Sequence, residues 1–296
     1  MKEKNLIKFI SLFKDFKQHL NKKNIGAFAS STAFFLFVSL IPMLILLCSI
    51  LPYTTLTKAD LLIFLTNITP DAVDSFVVSI LEDVYEESIG VTSAAAVLTL
   101  WSAGKGMMAL LRGLNAINNV EEGRGYFMLR WISSVYTIIF LGIMLVSLVL
   151  MVFGEVLVQA LIRSIPQLEK FFEVLINFRF LFVLVLMMVV FSLMYTYIPH
   201  KKMELVLQIP GAVFSSVLWN LFSWGFSLYM ESGTGGFHIY GNLTTIVILM
   251  LWLYMGIYII MIGAYVNRYF SPVFEALFIA KRLHNKESLD KRHKNH

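Results

Sequence analysis

Long apolar runs recur along almost the whole chain, separated by shorter polar segments. Six of these runs reach the roughly 20 residues that a helix needs to cross a hydrocarbon core. They are Gly26–Leu51, Ile89–Leu111, Trp131–Val158, Phe180–Ile198, Leu205–Met230 and Ile239–Val266. The pattern therefore predicts an all-α fold, a polytopic transmembrane helical bundle of six spans over residues 25–270.

A second pattern occurs in the 37-residue segment between the first two predicted spans. Thr69-Pro70-Asp71 is typical of a helix start, and apolar residues from Val73 to Val84 then recur at helical spacing. This predicts an amphipathic helix at about residues 70–87, outside the membrane. Its apolar face requires cover either from the bundle, as a lid, or from the lipid interface, and the sequence leaves both open.

Both ends of the chain are basic. Residues 1–24 combine apolar positions at helical spacing with lysines, as in a helix that lies on an anionic leaflet, although an ordinary basic flank has the same charges. Residues 271–296 form a basic tail, and from Lys281 onward few apolar residues remain. We expect that last part to be disordered.

Composition and charge strengthen the membrane assignment. Hydrophobic residues make up 58% of the chain and charged residues 15%, and the mean hydropathy is +0.74. A soluble protein of ordinary composition carries about 25% charged residues, so this class is excluded. If both termini are cytoplasmic, nineteen of the 24 Lys and Arg residues fall in inner segments and four in outer ones. The chain is therefore predicted to cross the plasma or inner membrane with both termini inside.

The strongest candidate site lies where the second span ends and the third begins. Lys105 lies inside the second span, and Arg112 follows two helical turns later on the same face. Two such cations suit a phosphate or another anionic headgroup. Alternatively, Lys105 reaches for the headgroups and the arginines only signal topology. The complete basic stretch contains Lys105, Arg112, Asn115, Glu122, Arg124 and Arg130.

Two further candidate regions lie later in the chain. Ser216, Asn220, Ser223 and Ser227 form a polar stripe on the fifth span, which indicates either helix packing or a hydrated pathway, with Asn220 as the residue of interest. The last outer loop, residues 231–242, contains four glycines and is either a flexible turn or a gate. Its end supplies Tyr240 and Asn242 as candidate substrate-binding residues.

Catalytic patterns are weak throughout. None of the six histidines belongs to a metal-binding motif, there is one cysteine, and no nucleotide-binding loop is present. We therefore expect no enzyme activity, no cofactor and no metal. An intramembrane enzyme using His200 or His238 is a weaker reading, because neither histidine has an evident nucleophile or paired base.

Several stretches in a characteristic order carry a family resemblance. They are Thr32–Phe35, Ser39–Pro42, Leu100–Ala103, Gly106-Met107, Ala109-Leu110, Leu114-Asn115, Glu122, Arg124, Tyr197–Pro199, Ile209–Ala212, Leu218-Trp219, Ile239–Leu243, Leu251–Tyr254 and Gly263–Asn267. On these residues the chain resembles the YihY/BrkB family of integral membrane proteins, once labelled ribonuclease BN-like. The resemblance implies a six-span inner-membrane protein. It departs from the family pattern at Ala116-Ile117-Asn118 and at Tyr265, where basic, small and aromatic residues and an acid are expected.

The ribonuclease label disagrees with the residues, because metal-dependent RNA cleavage needs a dense cluster of metal ligands. The leading hypothesis is non-enzymatic transport of a lipid-like or anionic amphipathic molecule. The alternative is a membrane scaffold or envelope-organising protein without a substrate. We expect membrane lipids, including anionic headgroups, as partners and no nucleic acid; the sequence does not indicate an oligomeric state.

Overall fold

Helices supply all the regular structure in the residues that the computed structural model describes, which are 14–20, 22–50, 57–68, 74, 78–79, 81–82, 89–164, 178–231 and 242–294. The helices are α1 (Lys14–Leu20), α2 (Ile25–Ile50), α3 (Lys58–Ile68), α4 (Ile89–Asn118), α5 (Tyr126–Ser164), α6 (Arg179–Tyr197), α7 (Leu205–Glu231) and α8 (Asn242–Lys294). This confirms the predicted all-α membrane bundle, and each predicted span corresponds to one long helix.

Four of the described helices are long and apolar enough to cross a membrane, in α5, α6, α7 and α8. A fifth is added if α1 and α2, which meet at a bend of 50°, are counted as one broken span. Helix α4 does not meet this test, although it has 30 residues. A count of six spans therefore stays a prediction.

The position of α4 explains its modest hydropathy. It packs against α2, α5 and α8, and Leu111 and Leu114 are completely buried. Glycines replace larger apolar residues where helices approach: a Cβ on Gly106 would lie 3.2 Å from the carbonyl oxygen of Thr32. A helix enclosed by protein needs small residues for close packing more than it needs apolar bulk.

The basic segments gather at one end of the bundle, which we call the basic end. Lys23 binds the end of α4 through Ala116, and Asn115 binds the backbone of His200 after α6. Tyr265 of α8 binds the backbone of Phe16 in α1. The N-terminal segment, the α4–α5 loop, the α6–α7 loop and this part of α8 therefore lie together.

A hydrophobic cluster marks the opposite end. Leu61, Phe64 and Leu65 of α3 pack there with the ends of α2, α7 and α8 that lie away from the basic end. The predicted amphipathic helix at 70–87 falls mostly outside the described residues. Its described positions are helical, and Leu81 is buried in this cluster, so that side chain faces protein.

Helix α3 was not predicted from the sequence, and a capping box defines its start. The Thr57 hydroxyl accepts from the Asp60 amide at 3.2 Å, and the Asp60 carboxylate accepts from the Thr57 amide and hydroxyl at 2.7 Å each. A threonine followed three residues later by an acid is a helix-start signal in the sequence itself. These hydrogen bonds, chiefly that from the Thr57 amide, lower the pKa of Asp60.

The expected disorder after Lys281 was wrong, because α8 continues as a helix to Lys294. A helix that is already nucleated extends at low cost through residues of good helix propensity. Lys286–Asp290 and Glu287–Lys291 also have the spacing of favourable charge pairs.

Candidate functional site

The predicted basic stretch begins at the end of α4, where the chain turns sharply. Asn119 has a φ of 55°, the Val120 amide donates to the Asn115 carbonyl at 2.9 Å, and the Asn119 amide donates to Ala116. This is a Schellman motif, which satisfies the last carbonyls of a helix. The ammonium of Lys23 also donates to the Ala116 carbonyl at 2.9 Å and to the Asn119 side chain. Burial, with the nearby charge of Arg268, lowers the pKa of Lys23.

Three of the predicted site residues bond to one another beside this turn. The Asn115 amide nitrogen donates to Glu122 at 2.7 Å, and Arg124 donates to the two Glu122 oxygens at 2.5 and 2.7 Å. The Asn115 side-chain oxygen accepts from the His200 backbone at 2.8 Å. We call Asn115, Glu122 and Arg124 with the His200 backbone the clasp. It joins the end of α4 to the α6–α7 loop.

The charges of the clasp compensate each other. The hydrogen bond from Arg124 holds the pKa of Glu122 below its ordinary value, and the same bond raises the pKa of Arg124. The His200 ring lies 3.9 Å from Glu122. Arg124 is therefore already engaged by an acid. Its predicted role as an anion ligand stays a prediction, and the geometry provides a structural role for all three side chains.

Lys105 and Arg112 have no such partner among the described residues. The Lys105 ammonium lies 3.8 Å from the centroid of the Trp101 ring and 5.2 Å from that of Phe35. Trp101 is 50% exposed and Arg112 is exposed, so this face of α4 opens to the surface of the bundle. We call Trp101, Lys105 and Arg112 the α4 stripe. It presents two positive charges and one large aromatic surface in line along the helix.

Arg130 belongs to the predicted basic stretch, as part of an anion site or as a topology signal, and the structure places its guanidinium against α4. From the first turns of α5 its guanidinium donates to the Trp101 carbonyl at 2.5 Å and to the Leu100 carbonyl at 3.5 Å. The reason is that the loop doubles back along α4, since Glu122 bonds to Asn115. No signal in the sequence indicates this reversal beyond the short loop itself.

Asn220, from the polar stripe predicted on the fifth span, lies half-buried on α7. Its amide donates to the Ser216 carbonyl at 2.7 Å and contacts the Met187 sulfur at 3.6 Å, while Ser216 donates to the Ala212 carbonyl. These bonds stay largely within α7, which favours packing over a hydrated pathway. Tyr240 lies outside the described residues, as does His238, and only the backbone of Asn242 is described, at the first position of α8.

A buried polar contact between α7 and α8 was not predicted. The Asn267 oxygen accepts from the Gly211 amide at 2.6 Å, and its nitrogen donates to the backbone and side-chain oxygens of Gln208 at 3.0 and 3.1 Å. Tyr195 of α6 donates to the Ile260 carbonyl and shares a 2.8 Å hydrogen bond with Ser215. The stretches Ile209–Ala212 and Gly263–Asn267, distant in sequence, thus meet in space.

The departures from the family pattern also have structural roles. Tyr265 donates to the Phe16 carbonyl at 3.1 Å, and the two rings pack edge to face at 4.8 Å. Ile117 is fully buried, and Asn118 donates back to the Leu114 carbonyl. Tyr265 therefore joins α8 to α1, Ile117 belongs to the core, and Asn118 bonds within α4.

The chain is similar to the virulence factor BrkB family over residues 16–282. It is 31% identical over 240 residues to the ribonuclease-like protein YfkH of Bacillus subtilis (strain 168), which covers 81% of this chain and 87% of that protein. Shorter likenesses are to two UPF0761 membrane proteins. PSHAa0171 of Pseudoalteromonas translucida (strain TAC 125) is 35% identical over 85 residues, 29% of this chain and 28% of that one. The protein of Aeromonas salmonicida (strain A449) is 34% identical over 91 residues, 29% and 31% of the two chains. No solved structure matches the chain.

Proposed function

Because this chain belongs to the virulence factor BrkB family, we propose that it acts in the membrane as a non-enzymatic transporter of a lipid-like or anionic amphipathic molecule. The family resemblance carried by the sequence motifs is thereby confirmed. Two of the relatives are named as membrane proteins, which is consistent with the several helices in this chain that are long and apolar enough to cross a membrane.

The observation that supports transport is the α4 stripe. Lys105 and Arg112 lie seven residues apart, or about 10 Å along a helix, and neither forms an ion pair within the described residues. The stripe runs toward the basic end and is open beside Trp101. An anionic headgroup moves along it from one cation to the next, while its chains stay against the exposed apolar residues Val97 and Leu98.

No chemical step enters the proposal. Among the residues that the structure describes, no group of three or more His, Cys, Asp or Glu residues stands close enough to hold a metal ion. The name of the Bacillus subtilis relative suggests a ribonuclease, and nuclease chemistry of that kind needs such a cluster.

The test is lipid movement in proteoliposomes that carry the double variant Lys105→Gln/Arg112→Gln. A charge-assisted hydrogen bond contributes about 1.5–3 kcal/mol, so losing one such contact slows movement of a fluorescent anionic lipid about tenfold or more. The matched control, Lys201→Gln/Lys202→Gln, removes two exposed lysines at the same basic end and keeps the wild-type rate. An equal rate in the stripe variant and the wild type would contradict transport along α4.

The second candidate is a scaffold without a substrate. It is favoured by the clasp and by Asn220, because these polar groups bond within the protein rather than to an open pathway. If the protein is a scaffold, the wild type moves no lipid. The variant Lys105→Gln/Arg112→Gln then leaves the organisation of the cell envelope unchanged.

A further inference from the structure

Four buried side-chain atoms on α4 and α5 have no hydrogen-bond partner within the described part of the chain. They are Thr99 Oγ1, Ser102 Oγ, Arg130 Nη1 and Ser133 Oγ. Elsewhere in the bundle, hydroxyls of this kind donate to the carbonyl one turn earlier, as Thr32, Thr137 and Ser216 do. Unpaired polar atoms are costly where no water reaches them. This region therefore has hydrogen-bonding capacity that the protein does not use.

Arg130 carries the largest part of this capacity. It lies within the apolar window Tyr126–Ile143, and its Nη2 donates only to backbone carbonyls, which carry partial charge. Its Nη1 packs against Gly104, where a Cβ would lie 3.2 Å away. No described acid pairs with Arg130. Its positive charge is therefore uncompensated in a setting where ionised groups are normally paired.

Lys105 brings a second unpaired charge to the same place. Trp101 contacts Arg130 through its carbonyl oxygen and Lys105 through its ring. The two cations therefore flank one half-exposed aromatic residue at one level of α4. Ser102 lies one turn before Lys105, and Ser133 lies one turn after Arg130, each on the same helix face as its cation. We call Thr99, Ser102, Lys105, Arg130 and Ser133 the α4–α5 polar cluster.

We propose that the α4–α5 polar cluster binds a phosphate-type oxyanion, the headgroup phosphate of a membrane lipid, beside Trp101. This deepens the proposed function and rests on it for the lipid's movement. A guanidinium donates to two oxygens at once, an ammonium acts as a point charge, and hydroxyls add single hydrogen bonds. The Arg130 guanidinium turns from Gly104 toward the open side of Trp101, so that Nη1 gains an acceptor. The Trp101 ring then covers the first part of the lipid chains.

The test is a binding titration of the purified full chain in mild detergent by native mass spectrometry. The probes are phosphatidylglycerol, diacylglycerol, which lacks the phosphate, and inorganic phosphate as a competitor. The variants are Arg130→Gln and Ser133→Ala. Their matched controls are Arg163→Gln, which removes an exposed arginine at the far end of α5, and Ser134→Ala, whose hydroxyl already donates to the Arg130 carbonyl.

Phosphatidylglycerol is expected to bind at least about tenfold more tightly than diacylglycerol, and Arg130→Gln to weaken it about tenfold or more. Ser133→Ala weakens it several-fold without lowering the unfolding temperature, because the lost hydroxyl had no hydrogen-bond partner among the described residues. Both controls bind as the wild type does. Displacement of the lipid by millimolar phosphate identifies free phosphate as a ligand of the same site, and resistance to it identifies the lipid.

Unchanged affinity in Arg130→Gln, or equal binding of diacylglycerol, would overturn the proposal. If Arg130→Gln does not fold, equal affinities of Ser133→Ala and Ser134→Ala overturn it. The transport assay separates the two proposals. If Lys105→Gln/Arg112→Gln abolishes lipid movement but Arg130→Gln does not change it, transport is supported and this binding site is contradicted. If the wild type binds the lipid specifically but does not move it, the binding site is supported and the transport proposal is contradicted.

Discussion

At the scale of single residues, the closest helix contact in the described bundle depends on two glycines. Gly211 and Gly263 face each other across α7 and α8, and a Cβ on either one would overlap atoms of the opposite helix. Backbone atoms cannot move aside as a flexible side chain can. Asn267 then has room to bond to the Gly211 amide. The sequence contains both motifs but does not indicate that they touch.

We predict that Gly263→Ala destabilises the protein by about 1–3 kcal/mol or more, since the new methyl group overlaps Ser215 and lies 2.7 Å from the Gly211 carbonyl oxygen and the Tyr195 hydroxyl. Thermal unfolding in detergent measures the loss. Gly104→Ala is the control, because its methyl group meets only the movable Arg130 side chain at 3.2 Å. Equal unfolding temperatures for the two variants would refute the close contact.

The clasp predicts a pH dependence. Arg124 lowers the pKa of Glu122 in the folded protein, so this carboxylate contributes stability above its ordinary pKa of 4.5. That contribution is lost as the pH falls below 4.5 and through the lower folded value. We expect the unfolding temperature to fall over this acidic range and to fall less in Glu122→Gln. If the unfolding temperature falls equally with pH in the wild type and in Glu122→Gln, Glu122 is not a source of this pH dependence.

At the scale of elements, the start of a helix can be predicted from neighbouring residues, whereas a contact between two helices cannot. The Thr57–Asp60 capping box is local, so α3 was predictable from residues three apart. The docking of α1 is not local, because Phe16 contacts Tyr265 and Tyr269 near the other end of the chain. The sequence predicted a basic amphipathic helix there, with its apolar face against the lipid surface. In the structure, Phe16 of that helix packs against α8.

We predict that Thr57→Ala speeds amide hydrogen exchange in α3 about fivefold, the usual effect of losing an N-cap. Exchange in α4 and α7 serves as the internal reference and stays unchanged. A uniform increase across all helices would show global destabilisation instead of a local cap.

We also predict that Phe16→Ala releases α1 from α8. The variant loses edge-to-face contacts with Tyr265 and Tyr269 at 4.8 and 5.1 Å. Limited proteolysis near residues 14–20 then becomes faster, whereas Lys17→Ala, on the exposed side of α1, behaves as the wild type. Equal cleavage of both variants would mean that Phe16 does not hold α1.

At the scale of the whole molecule, charge distribution and packing agree. The segments that the charge rule assigns to the cytoplasm contact one another at the basic end, through Lys23, Asn115 and Tyr265. The assignment of this end to the cytoplasm is itself a prediction from the excess of Lys and Arg.

Labelling in intact cells tests that orientation. In a Cys48→Ser background, Arg163→Cys lies at the end of α5 opposite the basic end, and Lys201→Cys lies at the basic end. We expect a membrane-impermeant maleimide to label the first variant and to label the second only after lysis. The reverse pattern would invert the topology.

The sequence by itself determined the all-α membrane fold, the approximate positions of the long helices and the family. These depend on apolar run length, helical spacing and charge counts, which are properties of neighbouring residues. It also indicated Lys105 and Asn220 as polar groups within spans. Only the tertiary structure decided how polar groups pair: Arg124 is engaged by Glu122, whereas Arg130 reaches Trp101 and pairs with no acid among the described residues. Pairing depends on how helices distant in the chain face each other, because an ionised group in a bundle is compensated only by what the fold brings beside it.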